Sequence, residues 1–273
     1  MMLNNPMFDW LTLTTFEIDS ALKMRYLHAY DSYTPASRLQ YKGVQGEGVF
    51  FGEATQGGRQ HWMFQASGEM ADYVFMGYPR DFGPYDWNVT RCDLQVTIPI
   101  PPRFSSRDLY DDLQIWDGPG KPRISQLLQS GDGNDTVYVG SRSSDRFTRI
   151  YVKPIDGGLK ALRFECEYKG EHAHRVFQDC IAEPRNRRFI LGYEVRSLPM
   201  LSNSLKTAFL RVLGAESHKP KIDRVTSQSA TLDWLRTQVH STIMRALNDH
   251  EIGHEVERLV AYWHNYPDCE DLR

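Results

Sequence analysis

The spacing of hydrophobic and polar positions changes several times along this chain, and each change marks an element. DWLTLTTF (9–16) alternates and is rich in Thr, Leu and Phe, which predicts a strand; FEIDSALKMRYLHAY (16–30) then shifts to helical spacing. Short segments rich in glycine and aromatics fill residues 41–78, GVFFGEA and RQHWMFQAS among them, and predict an antiparallel meander. NVTRCDLQVTIPI (88–100) reads as a strand closed by Pro99, Pro101 and Pro102, and SSRDLYDDLQIW (105–116) as a helix opened by capping serines and early acidic residues. DGPGKPRI and GDGND are turns by composition. Three strand-like runs follow, DTVYVGSR, RFTRIYVK and ALRFECEYK, then GEHAHRVFQDCIA as a helix. Beyond EPRNRRF the pattern is mainly helical: SLKTAFLRVLG, SATLDWLRTQVHSTIMRALND and HEIGHEVERLVAYWHNY.

One pattern occurs twice. TRCDLQV (90–96) and LRFECEY (162–168) both read Arg-x-acid-hydrophobic-x inside a strand, which predicts two related halves. Side chains alternate along a strand, so Arg91, Asp93 and Gln95 share one face, as do Arg163, Glu165 and Glu167. Two such strands side by side would bring Asp93 and Glu165 together. Converging carboxylates in hydrophobic strands are costly unless they are paired, protonated or holding a cation. Arg91 and Arg163 neutralising them as structural ion pairs is one reading; a hard-metal site of the Mg²⁺ or Mn²⁺ type is the other. The fold class expected is α+β: two pseudo-symmetric antiparallel-sheet half-domains with helices packed on one face, plus a mainly helical C-terminal part.

With 273 residues, 41% of them hydrophobic, the chain is long enough for one large or two small domains with a substantial core. MMLNNPMFDW has neither a basic nor an apolar leader pattern and the apolar runs are short, so no membrane association and a cytoplasmic location are expected. Cys92, Cys166, Cys180 and Cys269 form no CxxC pair and read as reduced and structural. The formal charge of −3 hides an asymmetry: residues 141–225 hold 17 Lys and Arg against 10 Asp and Glu, leaving 15 against 25 elsewhere. A basic middle tilts the chain toward a polyanion partner.

Within RFTRIYVK the strand period puts Arg149, Tyr151 and Lys153 on one face and Ile150 and Val152 on the other. A tyrosine surrounded by cations is a candidate nucleophile, because the cations ease its ionisation and hold a phosphodiester that it attacks. The plainer alternative is an ordinary tyrosine on a solvent-facing cationic strand.

The order TRCDLQV, GSRSSD, RIYVK, RFECEYKG resembles the replication-initiation-factor family, the initiators of rolling-circle plasmids and filamentous phages together with some relaxases of integrative elements. DWLTLTTF, HWMFQASGEM and TLDWLRTQV are further similarities, and the resemblance is strongest over 88–182. It implies that Tyr151 is the nucleophile, leaving a 5′-phosphotyrosine and a free 3′-hydroxyl. It also implies that Asp93 and Glu165, with Glu167 as a third ligand, hold Mg²⁺ or Mn²⁺. Thr97 and Pro154 depart from the family pattern, standing where a second aspartate and a longer polar turn are common. The expected organisation is a nicking domain over 1–190, built from halves of about 1–120 and 121–190, and a helical part over 191–273 for DNA binding or dimerisation. Ser141, Arg142, Arg146, Arg163, Arg187 and Arg188 are expected to contact DNA, as are Lys219 and Lys221 before the SATLDWLRTQV helix. The partners implied are origin DNA, single-stranded or supercoiled duplex, a host helicase and polymerase, and a second copy of the chain. A non-cleaving, sequence-specific DNA binder of the same fold is the alternative.

HEIGHE (250–255) matches H-E-x-x-H, which would place His250 and His254 on zinc with Glu251 as base. Glu257 and Val260 stand where the longer metzincin motif needs Gly and His, so a metalloprotease is the minor reading.

Overall fold

The structure is a computed structural model. It describes residues 5–16, 34–56, 58–82, 87–100, 124–128, 136–155, 159–198 and 201–220, with isolated positions from 243 to 258. The chain divides into two compact units, Met1–Ile222 and Asp223–Arg273. The predicted helices at 16–30 and 105–116 and the C-terminal segments from 230 onward lie outside the described residues, isolated positions apart.

Ten strands form one antiparallel sheet in the first unit: β1 (Met7–Thr15), β2 (Thr34–Arg38), β3 (Tyr41–Gly46), β4 (Val49–Gln56), β5 (Arg59–Ser67), β6 (Asn88–Pro99), β7 (Ile124–Leu128), β8 (Thr136–Val139), β9 (Arg146–Ile155) and β10 (Leu159–Lys169). Their order is β2-β3-β4-β5-β1-β6-β10-β9-β8-β7. The two expected half-sheets are therefore one continuous sheet. β1 to β6 come from the first expected half (about 1–120) and β7 to β10 from the second (about 121–190), and the seam is the β6–β10 pair.

The described residues hold four helices, α1 (Glu69–Asp81) after β5, α2 (Gly170–Ala182) after β10, and then α3 (Asn186–Ser197) and α4 (Asn203–Leu213) in succession. Two of the corners repeat each other. β5 enters α1 through Gly68 and β10 enters α2 through Gly170, with φ of 62° and 54°, values that favour glycine. The corner at Gly68 is why the predicted meander ends early: residues from 69 form α1, whose Ala71, Val74, Phe75 and Tyr78 recur at helical spacing and are buried. In α2 the same spacing buries Ala173, Val176, Phe177 and Cys180.

These apolar stripes cover one face of the sheet. Cys92, Leu94, Val96 and Ile98 of β6 and Leu162, Phe164, Cys166 and Tyr168 of β10 belong to a single core with the four helices, including Ile190, Leu191, Val195, Phe209 and Leu213. α3 and α4 thus lie in the first compact unit. Cys92, Cys166 and Cys180 are free and buried, as small hydrophobes would be. The opposite face is polar at its centre and carries a small apolar cluster of Tyr41, Phe50 and Met63 toward the β2 edge.

Phe177 is the ring on which this core converges, with Phe8 and Phe75 at 5.7 Å and Tyr78 at 4.8 Å. Phe177→Ala is expected to cost about 3–5 kcal/mol in a urea unfolding titration; a loss below about 1 kcal/mol would contradict this packing.

Candidate functional site

The polar face is built by the three central strands. Register places Thr97, Arg163 and Tyr151 in one cross-strand row and Gln95, Glu165 and Arg149 in the next. Asp93 and Glu167 fill the row after that. Directly paired residues share a face, so the alternation expected for Arg149, Tyr151 and Lys153 is what the structure contains, with Ile150 and Val152 in the core.

Asp93 and Glu165 do converge, through a guanidinium. Arg149 Nη2 donates to Asp93 Oδ2 at 2.6 Å and to Glu165 Oε1, and lies 3.6 Å from Glu167 Oε2. Arg91 binds Asp93 through two nitrogens, at 2.9 and 2.7 Å, and meets Glu167 at 2.9 Å. Lys169 holds the other oxygen of Glu167 at 3.0 Å. Arg163 does not pair with Glu165; it donates to Thr97 Oγ1 at 3.1 Å, to Asp9 Oδ1 at 3.0 Å and to the Tyr151 hydroxyl at 3.3 Å.

Asp9 reaches this site because β1 is irregular against β6 between Phe8 and Trp10, which leaves Asp9 without a β6 partner. A bulge of this kind re-aims a side chain next to a site. Trp10 joins the same face, with Arg91 stacked 4.7 Å above its ring.

The Tyr151 hydroxyl donates to Glu165 Oε2 at 3.1 Å. Its pKa is raised, first by burial and then by the charge of Glu165, with Arg163 opposing. The cations expected to ease its ionisation are largely engaged by carboxylates. Glu165 is pushed up to about 7 by burial and by Asp93 and Asp9, against Arg149. Burial likewise raises Asp93 against the pull of Arg91. Tyr151 and Glu165 are therefore a hydroxyl and a proton acceptor in direct contact, the acceptor titrating near neutrality.

Lys153 lies one row beyond Tyr151 and lines a cleft of ≈ 260 Å³ with Asp9, Glu69 and Arg163. Burial and then Arg163 lower its pKa. The GSRSSD turn closes the opposite end of β9, before Arg146: Ser141 and Ser143 hydroxyls are 2.8 Å apart, and exposed Arg142 stacks 4.8 Å over Tyr138, a residue of the same face. Lys169 Nζ donates to the Arg142 carbonyl, tying the turn to β10.

Three of the expected DNA-contacting arginines stand elsewhere. Arg146 is paired with Tyr168 in register, hence on the helix-covered face, and meets buried Glu194 of α3 at 3.3 Å. Arg187 forms an ion pair with Asp72 of α1 at 2.7 Å, and exposed Arg188 faces Asn5. Both belong to α3, across the sheet from Tyr151. Lys219 is exposed after α4, and Lys221 lies outside the described residues. In the HEIGHE segment His250 and Glu251 lie outside them too, so the zinc motif has no described geometry.

The site holds an oxygen-only donor set, Asp93, Glu165 and Glu167, whose carboxylates approach one cationic nitrogen; such donors suit a hard divalent ion. With both guanidiniums in place, no group of three or more acidic, His or Cys side chains among the described residues is arranged around a vacant metal position. The Nε of Arg149 is buried with no hydrogen-bond partner, while its Nη2 takes all three carboxylates.

No protein-family model matches the chain, and no curated protein matches it. Among solved structures the chain is similar to a rolling circle replication initiator protein from Geobacillus stearothermophilus, at 17% sequence identity and a TM-score of 0.57, covering 79% of this chain and 98% of that one. DynU16, from the dynemicin biosynthetic locus, aligns over 75% of this chain and 97% of that one at 11% identity, with a TM-score of 0.22 that carries no weight for the fold. At this identity the likeness to the initiator is one of fold: this chain shares its α+β architecture.

Proposed function

We propose that this chain nicks and religates one DNA strand at a replication or transfer origin through a covalent 5′-phosphotyrosine. The observation that carries the reading is the Tyr151 hydroxyl held between Glu165 and Arg163, on a fold shared with a rolling circle initiator. Tyr151 Oη attacks the phosphorus while its proton passes to Glu165 Oε2. The bond from phosphorus to the 3′ oxygen breaks, that oxygen takes a proton from solvent water, and the 5′ phosphate stays on the tyrosine. Arg163 and Lys153 hold the charge that builds on the non-bridging oxygens. Religation is the reverse, with Glu165 returning its proton.

Asp93, Glu167 and the Glu165 oxygen turned toward Arg149 are the groups that would hold Mg²⁺ or Mn²⁺. Such an ion polarises phosphoryl oxygens. Arg149 stands among these carboxylates on the face of Tyr151, and exposed Arg142 extends the contact surface beyond Tyr138. Origin DNA, a host helicase and polymerase acting on the nicked product, and a second copy of the chain are the partners this activity calls for.

Tyr151→Phe removes one oxygen and is expected to abolish a covalent adduct with labelled single-stranded origin DNA while binding persists. An adduct that survives would move the nucleophile elsewhere, Tyr138 being the next tyrosine on this face. Binding without any adduct in the wild type would favour the non-cleaving DNA binder.

Glu165 accepts a proton only when ionised, so cleavage should rise with pH through about 7 and level off above it. Glu165→Gln should lower the rate about 10²–10⁴-fold and erase that inflection. The same shift acts on stability. The folded pKa lies above the ordinary glutamate value of about 4.3, so the folded state binds the extra proton between the two. The stabilisation from Glu165 is full below about 4 and is lost as pH rises through about 7. Metal-free melting curves should therefore show Glu165→Gln gaining on the wild type at pH 8 and not at pH 4.

Calorimetric titration with Mn²⁺ in the absence of DNA tests the donor set. Asp93→Asn and Glu167→Gln are each expected to weaken binding by more than the roughly 10- to 100-fold that loss of an outer-shell partner costs. Unchanged Mn²⁺ binding with a large loss of folding stability would mean that the carboxylates serve only as structural ion pairs.

A further inference from the structure

We propose that the corner of the polar face formed by β1 and β5 is a stacking shelf for the unpaired bases of a DNA strand, separate from the Tyr151 site. Phe16 directly follows β1 and is 43% exposed. The Arg59 guanidinium lies 4.7 Å above its ring, and the His61 ring is 4.4 Å from it. His61 is fixed from beneath by Tyr41, whose hydroxyl is 2.5 Å from Nδ1. The aromatic group is exposed, but the layer under it is buried and hydrogen bonded.

Register shows that this corner and the catalytic centre share a face. His61 pairs with Ala54, Met63 with Thr14, Gln65 with Thr12, Thr12 with Arg91, and Trp10 with Asp93. From β5 to β9 is four strands, so the shelf and Tyr151 are separated by roughly 20 Å across the strands and about 30 Å along them. Gln65 on β5, which accepts a hydrogen bond from Arg38 reaching in from β2, lies toward the Tyr151 site from the shelf, followed by Trp10 beneath Arg91.

The charge of this corner specifies the occupant. Arg38 hydrogen bonds only to the amides of Gln65 and Gln45, and Arg59 stacks on Phe16; neither meets a carboxylate among the described residues. The face residues paired through β2, β3, β4 and β5 here are Thr34 and Gln45, Ala36 and Gly43, Arg38 and Tyr41, then Phe50, Gly52, Ala54, His61, Met63 and Gln65, with no acid among them. At the catalytic centre, by contrast, every arginine has an acidic neighbour. Cations without acidic partners beside an exposed ring suit a chain of phosphates carrying flat, apolar bases. A base replaces Arg59 on the Phe16 ring, and the freed guanidinium turns to the adjoining phosphate. Duplex DNA does not fit this role, because its base faces are already stacked.

Fluorescence anisotropy with a labelled oligo(dT) of about 16 nucleotides, the upper end of common single-strand site sizes, tests the shelf in EDTA, where no cutting occurs. Phe16→Ala is expected to weaken binding about 5- to 100-fold, the range that loss of one stacked base implies. Phe16→Trp should restore it, and Arg59→Gln should flatten the log-log salt slope by about 0.7. Irradiation of a strand carrying 5-iododeoxyuridine should crosslink to the peptide containing Phe16, a readout that holds even where Phe16→Ala fails to fold. Unchanged affinity in Phe16→Ala, equal binding of a blunt duplex of the same length, or crosslinks confined to other peptides would each overturn the proposal. Because the strand is bound and never cut, a missing adduct at Tyr151 leaves a positive result here standing, and a failure here leaves the cleavage reading standing.

Discussion

The guanidinium of Arg149 is the constraint on which the rest of the polar face depends. Asp93 and Glu165 are almost fully buried on adjacent strands, and two carboxylates removed from water on neighbouring rows would repel each other strongly without a cation between them. Arg149 lies between them and Arg91 secures Asp93 from the other side. The compensation is partial, since burial still wins at both acids and raises their pKa values. A partly compensated carboxylate is a useful one. Fully paired, Glu165 would be too weak a base to take a phenolic proton; unpaired, it would stay protonated at neutral pH.

The sheet makes this balance possible because its two faces do different work. Helices seal one face with an apolar core, so the backbone of β6, β9 and β10 is held rigidly and the opposite face is left for polar groups. Long central strands fix the rows to one another by backbone hydrogen bonds, and side-chain positions inherit that precision. The bulge that frees Asp9 adds the one acid that the regular register would have withheld, and Asp9 in turn sets Arg163 against the Tyr151 hydroxyl.

How much of this was legible in the amino-acid order depended on whether a feature is local. The shared face of Arg149, Tyr151 and Lys153 follows from the period of a strand, and so does the assignment of Ile150 and Val152 to the core. The same parity places Arg146 on the other face, an inference that the count of basic residues around Tyr151 obscured. The convergence of Asp93 and Glu165 was legible because the repeated Arg-x-acid pattern implied two adjacent strands. Their bridging arginine was not: which cation stands between them is decided by the β9 register, and Arg91 and Arg163 were nearer in sequence. Asp9 needed a bulge that no residue type announces, although a carboxylate at the head of an otherwise apolar strand is a hint. Arg187 and Arg188 read as surface cations, and only the packing of α3 on α1 shows that they lie across the sheet.

A net charge of −3 is compatible with a polyanion partner once the pairing pattern is considered instead of the total. On the proposed nicking reading, a phosphate at the Tyr151 site would compete with carboxylates for Arg149 and Arg163, which makes binding there conditional on relief of those acids. At the proposed shelf Arg59, with Arg38 reaching in from β2, meets no carboxylate among the described residues and would hold a strand without that condition. Taken together, the two proposals give one face of the sheet a permanent grip and a conditional one, and the distance between them would make the length of a bound strand, more than its charge, the quantity that decides whether both are engaged.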